Sequence, residues 1–340
     1  MKSEELVLAN IRNFAERNYH GKNHSVWSRL PESRRAAVFI LLFLGSMGEL
    51  RVILTKRSSK LRSFPGHISL PGGKADFPEE TEWQVARREM MEEIGIDENN
   101  EDLKHKYGFE IDHLNIMPSY LLRTFSAVRP CVGFMRSVNG SNISLDLRII
   151  LNPGESSSIF SCPLRDFLYP LVDEPAKESL ERTSHMFKWG GIPWNLRSYL
   201  FSQNNINEVD WLRDIKDLSA SEEEHDSDSP GTSKKSLSEW GKLGSRRDEE
   251  TNEKIYDVWG LTANILHDLA EIAYDGGHSK RQLGEEELIY SVWHHGRLMQ
   301  SGKRSEEESK LISSKVTDKF GFNDILPRTE FLRLKALYKE

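Results

Sequence analysis

The sequence predicts an α/β domain with a mixed β-sheet sandwiched between helices. Residues 36–45, "AAVFILLFLG", form a continuous apolar run of strand length, too short at ten residues to span a bilayer and suited to a buried central strand. A second β-rich run, residues 50–55, follows across Ser46-Met47-Gly48 as a hairpin. Helical patterns are interleaved with further strand-like runs, and that alternation marks the α/β class.

The elements follow in order. Residues 1–35 form an N-terminal helical segment, with Leu6, Leu8, Ile11 and Phe14 near helical spacing. Its several acids argue against a cleavable mitochondrial presequence. Residues 36–218 are the main domain, with "LLRTFSAVRPCVGFMR" and "FKWGGIPWNLRSYLF" as further strands and "CPLRDFLYPLV" as a strand end feeding a helix. Residues 219–254, including "SASEEEHDSDSPGTSKK", hold too few apolar groups to offset their ordering entropy, so a disordered acidic insertion is expected. Residues 255–275, with Trp259, Ile265, Leu266, Leu269 and Ile272 in helical phase, form a helix that completes the domain. Residues 276–340 form a C-terminal helical extension with weaker patterns near 285–300 and 330–338.

Composition narrows the function classes. Forty-six basic against 53 acidic residues give a net charge of −7, which offers no electrostatic basis for nucleic-acid binding. No membrane-spanning run is present in the sequence, and Cys131 and Cys162 lack metal-site spacing and read as buried thiols in a reducing compartment. The final residues, Tyr338-Lys339-Glu340, are not an SKL-type peroxisomal address. A soluble intracellular protein is expected.

The chemistry concentrates in residues 70–96, "LPGGKADFPEETEWQVARREMMEEIGI". A helix over 80–94, stopped by Gly95, places Trp83, Ala86, Met90 and Ile94 on one stripe and Glu89, Glu92 and Glu93 beside it. Like charges at that spacing cost roughly 0.2–0.5 kcal/mol per pair. A solvated stripe is the plain explanation; a hard cation that takes carboxylate ligands, Mg²⁺ or Mn²⁺, is the functional one. Gly72 and Gly73 allow close backbone approach, and the Gly73 carbonyl is a further candidate ligand. A diphosphate suits such a site, because metal ions stabilise attacking and leaving oxygens together.

The stretch resembles the Nudix hydrolase signature, G-x5-E-x7-R-E-U-x-E-E-x-G-U with U aliphatic. "REMMEEIGI" matches its second half; between Gly73 and Arg88 there is one residue more than the pattern allows. Glu79 keeps the spacing from the glycine and Glu80 the spacing to Arg88, and Glu80 is preferred because it is in register with the helix. Upstream, "LTKRSSKLRSFPGHISLPGG" is similar to the motif of the coenzyme A diphosphatase branch through Arg57, Ser58, Leu61, Arg62 and Gly66, while Phe64 and His67 depart from the more usual His and Gln. "RPCVGF", "LNPGE", "CPL" and "WGLTANIL" follow in order, and a long insertion with a C-terminal extension resembles the fungal peroxisomal members.

That resemblance implies a Nudix fold and a Mg²⁺- or Mn²⁺-dependent pyrophosphohydrolase. Its expected substrate is coenzyme A, an acyl-coenzyme A or the disulfide, cleaved to 3',5'-ADP and a 4'-phosphopantetheine moiety. It implies Glu89 and Glu93 as principal metal ligands, Glu92 as a further ligand or the group acting on water, and Arg88 as the residue orienting a catalytic glutamate. With Glu80, Arg88 and Glu92 make the catalytic set; Arg57, Arg62, Gly66 and Gly72 are expected at the substrate. Glu155 is weighed as a late-loop base against a turn residue, and His67 as a substrate contact against a structural histidine. A peroxisomal location is implied, with the cytoplasm as alternative. Two rival functions remain: hydrolysis of oxidised nucleoside triphosphates such as 8-oxo-dGTP, and a non-catalytic scaffold of the same fold.

Overall fold

The computed structural model describes residues 4–15, 25–138, 147, 149–168, 178–213, 215, 218, 245–247, 252–278, 281–314 and 320–339. Helix α1 (Glu4–Asn13) precedes the hairpin β1 (Arg35–Leu44) and β2 (Leu50–Arg57). Short strands β3 (Ile68–Ser69) and β4 (Gly72–Lys74) lead into α2 (Glu82–Ile94), then α3 (Asn100–Tyr107), β5 (Phe109–Ile116), β6 (Tyr120–Leu121), β7 (Ala127–Ser137) and β8 (Ser156–Pro163). These eight strands form one sheet, ordered β3-β2-β1-β7-β5, with β4 and β6 paired to β1 and β7, and β8 to β2. It is mixed: β1 and β7 run parallel in register from Arg35 opposite Ala127 to Leu42 opposite Phe134, and the other pairings are antiparallel.

Central position explains why β1 is apolar from Ala36 to Leu44. Ala37, Phe39, Leu41 and Phe43 join one core with Val85, Ala86, Met90 and Ile94 of α2. Ile40 and Leu42 join another, with Leu8 and Ile11 of α1 and Ile265, Leu266 and Leu269 of the later helix α5 (Gly260–Asp275). The sheet therefore lies between helices, and each large side chain buried in it contributes roughly 1.5–3 kcal/mol. Cys131 is buried in the first core and Cys162 in the second, both as free thiols.

Several boundaries differ from the sequence-based expectation. Strand β2 runs to Arg57 rather than Thr55, because the chain continues pairing with β8. Helix α2 starts at Glu82, not 80: Thr81 caps it, accepting from the Gln84 amide while the Gln84 side chain accepts from the Thr81 amide, which leaves Glu80 in the preceding turn. Gly95 ends the helix at φ 74°, where a residue with a Cβ would be strained.

A second, antiparallel sheet was not foreseen. It is ordered β11-β12-β10-β9, from β9 (Ser179–Trp189), β10 (Ile192–Ser202), β11 (Ser245–Arg247) and β12 (Lys254–Trp259); the short helix α4 (Asp210–Arg213) lies between β10 and β11. The expected helix over 255–275 accordingly begins as strand, because residues 255–259 pair with 198–202 of β10 before α5 starts at Gly260. Most of the expected disordered insertion, 219–244 and 248–251, lies outside the described residues. Its part 245–247 is a strand, corrected by pairing with β12.

The expected C-terminal helical extension, where it is described, packs into the main core. Leu288, Ile289 and Val292 of α6 (Glu286–His294), Leu311 of α7 (Glu306–Ser313), Phe322, and Leu334 of α8 (Arg328–Leu337) belong to the same buried cluster as Phe39 and Met90. Glu308 of α7 pairs with Arg34 at 2.7 Å, both side chains buried, and this ties the C-terminal part to the residue immediately before β1.

Candidate active site

The glycine turn, the C-terminal half of α2 and the loop before β8 meet at one place. Pairing of β4 with β1 brings Gly72 opposite Val38 and Gly73 opposite Ala37. A Cβ on Gly73 would lie 2.3 Å from the Glu89 carboxylate, and one on Gly72 would lie 2.5 Å from the Ala37 carbonyl oxygen. Both glycines are thus required by close approach. Gly73→Ala is expected to push the Glu89 carboxylate aside and lower kcat at least tenfold with little change in Tm, measured on the purified variant. Full activity would remove Glu89 from the chemistry.

Glu93 is 5% exposed, accepts from the Gly72 amide at 3.2 Å, and has the Ser156 hydroxyl at 3.4 Å. Burial pushes its pKa up to about 8, opposed by the Gly72 amide and the Arg57 charge and reinforced by Glu89 and Glu155. Burial likewise raises Glu89, against the hydrogen bond from Arg88 and with Glu92 and Glu155 adding to the rise. The loop before β8 is fastened to the end of α2 by the Ile150 amide on the Ile94 carbonyl and the Asn152 amide on the Glu93 carbonyl, at 3.2 and 3.0 Å. Glu155, at the end of this loop, has a buried Oε2 without a hydrogen-bond partner among the described residues.

Arg88 organises the exposed side of the cluster. Its Nε donates to Glu80 at 2.9 Å, Nη1 to Glu89 at 3.0 Å and to Glu92 at 3.4 Å, and Nη2 to the Lys74 carbonyl at 2.9 Å. The planar fork suits this shared task. Against the cost of burial, Arg88 and the amides of Asp76 and Phe77 hold Glu80 below the usual carboxylate range. Glu80, not the exposed Glu79, therefore touches Arg88.

The expected trio does not converge. Among the described residues no three His, Cys, Asp or Glu side chains stand together around a point suited to an ion. Arg88 draws Glu89 and Glu92 toward itself, Glu92 is 47% exposed, and Glu93 turns inward to Gly72. The donors are still of the right chemistry for a divalent cation: hard oxygens with excess negative charge, close enough to raise one another's pKa, and one buried carboxylate oxygen unpartnered. Position, not sequence spacing, brings Glu155 and Ser156 to the cluster; "LNPGE" was a legible signal for the first, and no signal announced the second.

The expected substrate residues divide. Arg57, at the end of β2, is near enough to act electrostatically on both Glu93 and His67, and its buried Nε has no hydrogen-bond partner among the described residues. Arg62 is exposed in the 58–67 loop. Gly66, at φ 73°, donates its amide to the Arg57 carbonyl, so it shapes that loop.

A family model described as NUDIX domain matches residues 33–182. The chain is 39% identical over 336 residues to "Peroxisomal coenzyme A diphosphatase 1, peroxisomal" of Saccharomyces cerevisiae, with 93% of this chain and 92% of that protein covered. It is 31% identical to "Nudix hydrolase 15, mitochondrial" of Arabidopsis thaliana, over 71% of this chain and 59% of that one. A peroxisomal coenzyme A diphosphatase of Mus musculus is 30% identical over 43% of this chain and 53% of its own length. The chain belongs to the Nudix hydrolase family, whose members use divalent metal ions. Within that family its full-length likeness is to the coenzyme A diphosphatase branch.

Proposed function

We propose that this enzyme hydrolyses the diphosphate of coenzyme A or its thioesters and disulfide, giving 3',5'-ADP and the corresponding 4'-phosphopantetheine product. The observation that carries the reading is that the Gly72-Gly73 turn holds Glu89 against the Gly73 backbone and Glu93 on the Gly72 amide, with Glu155 and Arg57 acting on them electrostatically. Nearly end-to-end similarity to the yeast enzyme supports the substrate.

Glu89 and Glu93 would hold Mg²⁺ or Mn²⁺, with Glu155, the Gly73 carbonyl and Glu92 completing the oxygen set. When bound, such an ion would supply Lewis acidity to the diphosphate and to water. The water oxygen bonds to one phosphorus as the bridging P–O bond breaks; Glu92 or Glu155 takes the water's proton. Arg88 would orient Glu80, Glu89 and Glu92 through its hydrogen bonds to each of them. Arg57 balances phosphate charge. The location we propose is the peroxisome, from the names of the relatives; among the described residues no helix is long and apolar enough to cross a membrane.

Incubation with coenzyme A and Mg²⁺ in ¹⁸O water, followed by mass analysis, is expected to release 3',5'-ADP with the label on one product only. Absence of 3',5'-ADP overturns the substrate assignment.

A further inference from the structure

The 58–67 loop presents a feature the mechanism above does not use. Phe64 is 57% exposed and adopts φ 52°, a left-handed conformation that is an outlier for a bulky residue. An exposed apolar ring held in a strained backbone needs a compensating reason, and such strain gathers at functional sites. Its ring meets His67 edge-on, centroids 5.4 Å apart at 62°, and His67 lies 5.3 Å from Trp259 at 53°. Three aromatic rings thus form a ladder whose outer member faces solvent.

The ladder is anchored at its base. The Arg57 amide donates to the His67 carbonyl at 2.9 Å, and the Thr262 hydroxyl lies 3.5 Å from the Ile68 carbonyl, linking the loop's end to the start of α5. Arg57 acts electrostatically both on His67 of the ladder and on Glu93 of the glutamate cluster. Burial and the Arg57 charge lower the pKa of His67, which favours its neutral ring. Exposed Arg62 makes no ion pair or side-chain hydrogen bond among the described residues, so its charge is available to a ligand.

We propose that Phe64, backed by His67 and Trp259, is the platform on which the adenine of the substrate stacks, with Arg57 and Arg62 flanking the phosphates of the same nucleotide. This deepens the coenzyme A reading and rests on it. An aromatic face serves any base, and cations beside it serve phosphate; together they fit a multiply phosphorylated adenosine.

The test uses the full chain with Mg²⁺ and 3',5'-ADP, which has no diphosphate bond to cleave. Titration calorimetry is expected to show Phe64→Ala and Phe64→Leu binding it about 5- to 150-fold more weakly, the range for loss of one stacked base. Phe64→Tyr is expected to stay within about twofold, because the ring is kept. Affinity for 4'-phosphopantetheine should not change in any variant. With coenzyme A, KM should rise by the same factor at constant kcat, as for binding equal in ground and transition states. The platform is overturned if the parent does not bind 3',5'-ADP, or if folded Phe64→Ala and Phe64→Leu bind it like the parent. Ring-dependent binding of 3',5'-ADP without cleavage of coenzyme A would keep the platform and remove the catalytic reading; cleavage without ring dependence would do the reverse.

Discussion

Replacing Glu93 by Gln is expected to lower kcat for coenzyme A on the order of 10³-fold, the upper scale for loss of one preorganised electrostatic group, while the metal-free protein becomes more stable near pH 8. The two effects have one cause. Glu93 is buried beside Glu89 and Glu155, so its charge is costly to the folded chain and useful only when a cation answers it. Its folded pKa of about 8 lies above the ordinary 4.5. The folded state therefore holds the proton more tightly, and the associated stability is present below pH 4.5 and lost as pH rises through 8. Thermal unfolding without metal should show the parent's Tm falling across that window, and the variant's falling less. Saturating Mg²⁺ should restore the parent near pH 8, since a ligand bound only to the folded state stabilises it. A variant that releases 3',5'-ADP at the parent's rate would exclude Glu93 as a metal ligand.

The second large effect concerns stability. Glu308→Ala is expected to destabilise the chain by about 3–5 kcal/mol, because it strands a buried guanidinium. Arg34 donates through Nη2 to Glu308 at 2.7 Å, and its other nitrogens donate to the carbonyls of Ser301 and Phe125, each at 3.0 Å. Glu308 in turn accepts the Met299 and Ser305 amides at 2.8 and 2.9 Å. One deletion therefore leaves a cation and two amides without their partner. Urea unfolding measures it, with exposed Glu306→Ala as the control that leaves the midpoint unchanged. A midpoint for Glu308→Ala equal to the control's would show that the C-terminal elements stand apart from the core.

The local parts of this protein were legible because short-range rules govern them. The apolar run of β1, the Gly95 stop of α2 and the buried stripe Ala86, Met90 and Ile94 follow from side-chain periodicity and backbone freedom, which a sequence displays directly. Trp83 is only half-buried, its ring against His113 and Phe39, so the stripe's first member was read less well. The order "REMMEEIGI" likewise determined the family, because residue types at fixed helical spacing carry the signature.

What depended on distant contacts was not legible. Residues 187–201 read as strand, but nothing near Ser179 or Ser245 announces that such strands build a second sheet, since pairing joins residues far apart in the chain, and β12 reads as helix until β10 is beside it. Sequence spacing left Glu79 and Glu80 as rivals; the Thr81 cap and the reach of Arg88 brought Glu80 into contact. The sequence by itself determined the family, the glutamate-rich helix and the glycine turn before it. Only the tertiary structure decided that Glu93 is buried, that Glu155 joins it across the loop before β8, and that Glu92 remains at the surface, because burial and charge proximity are properties of the packed chain.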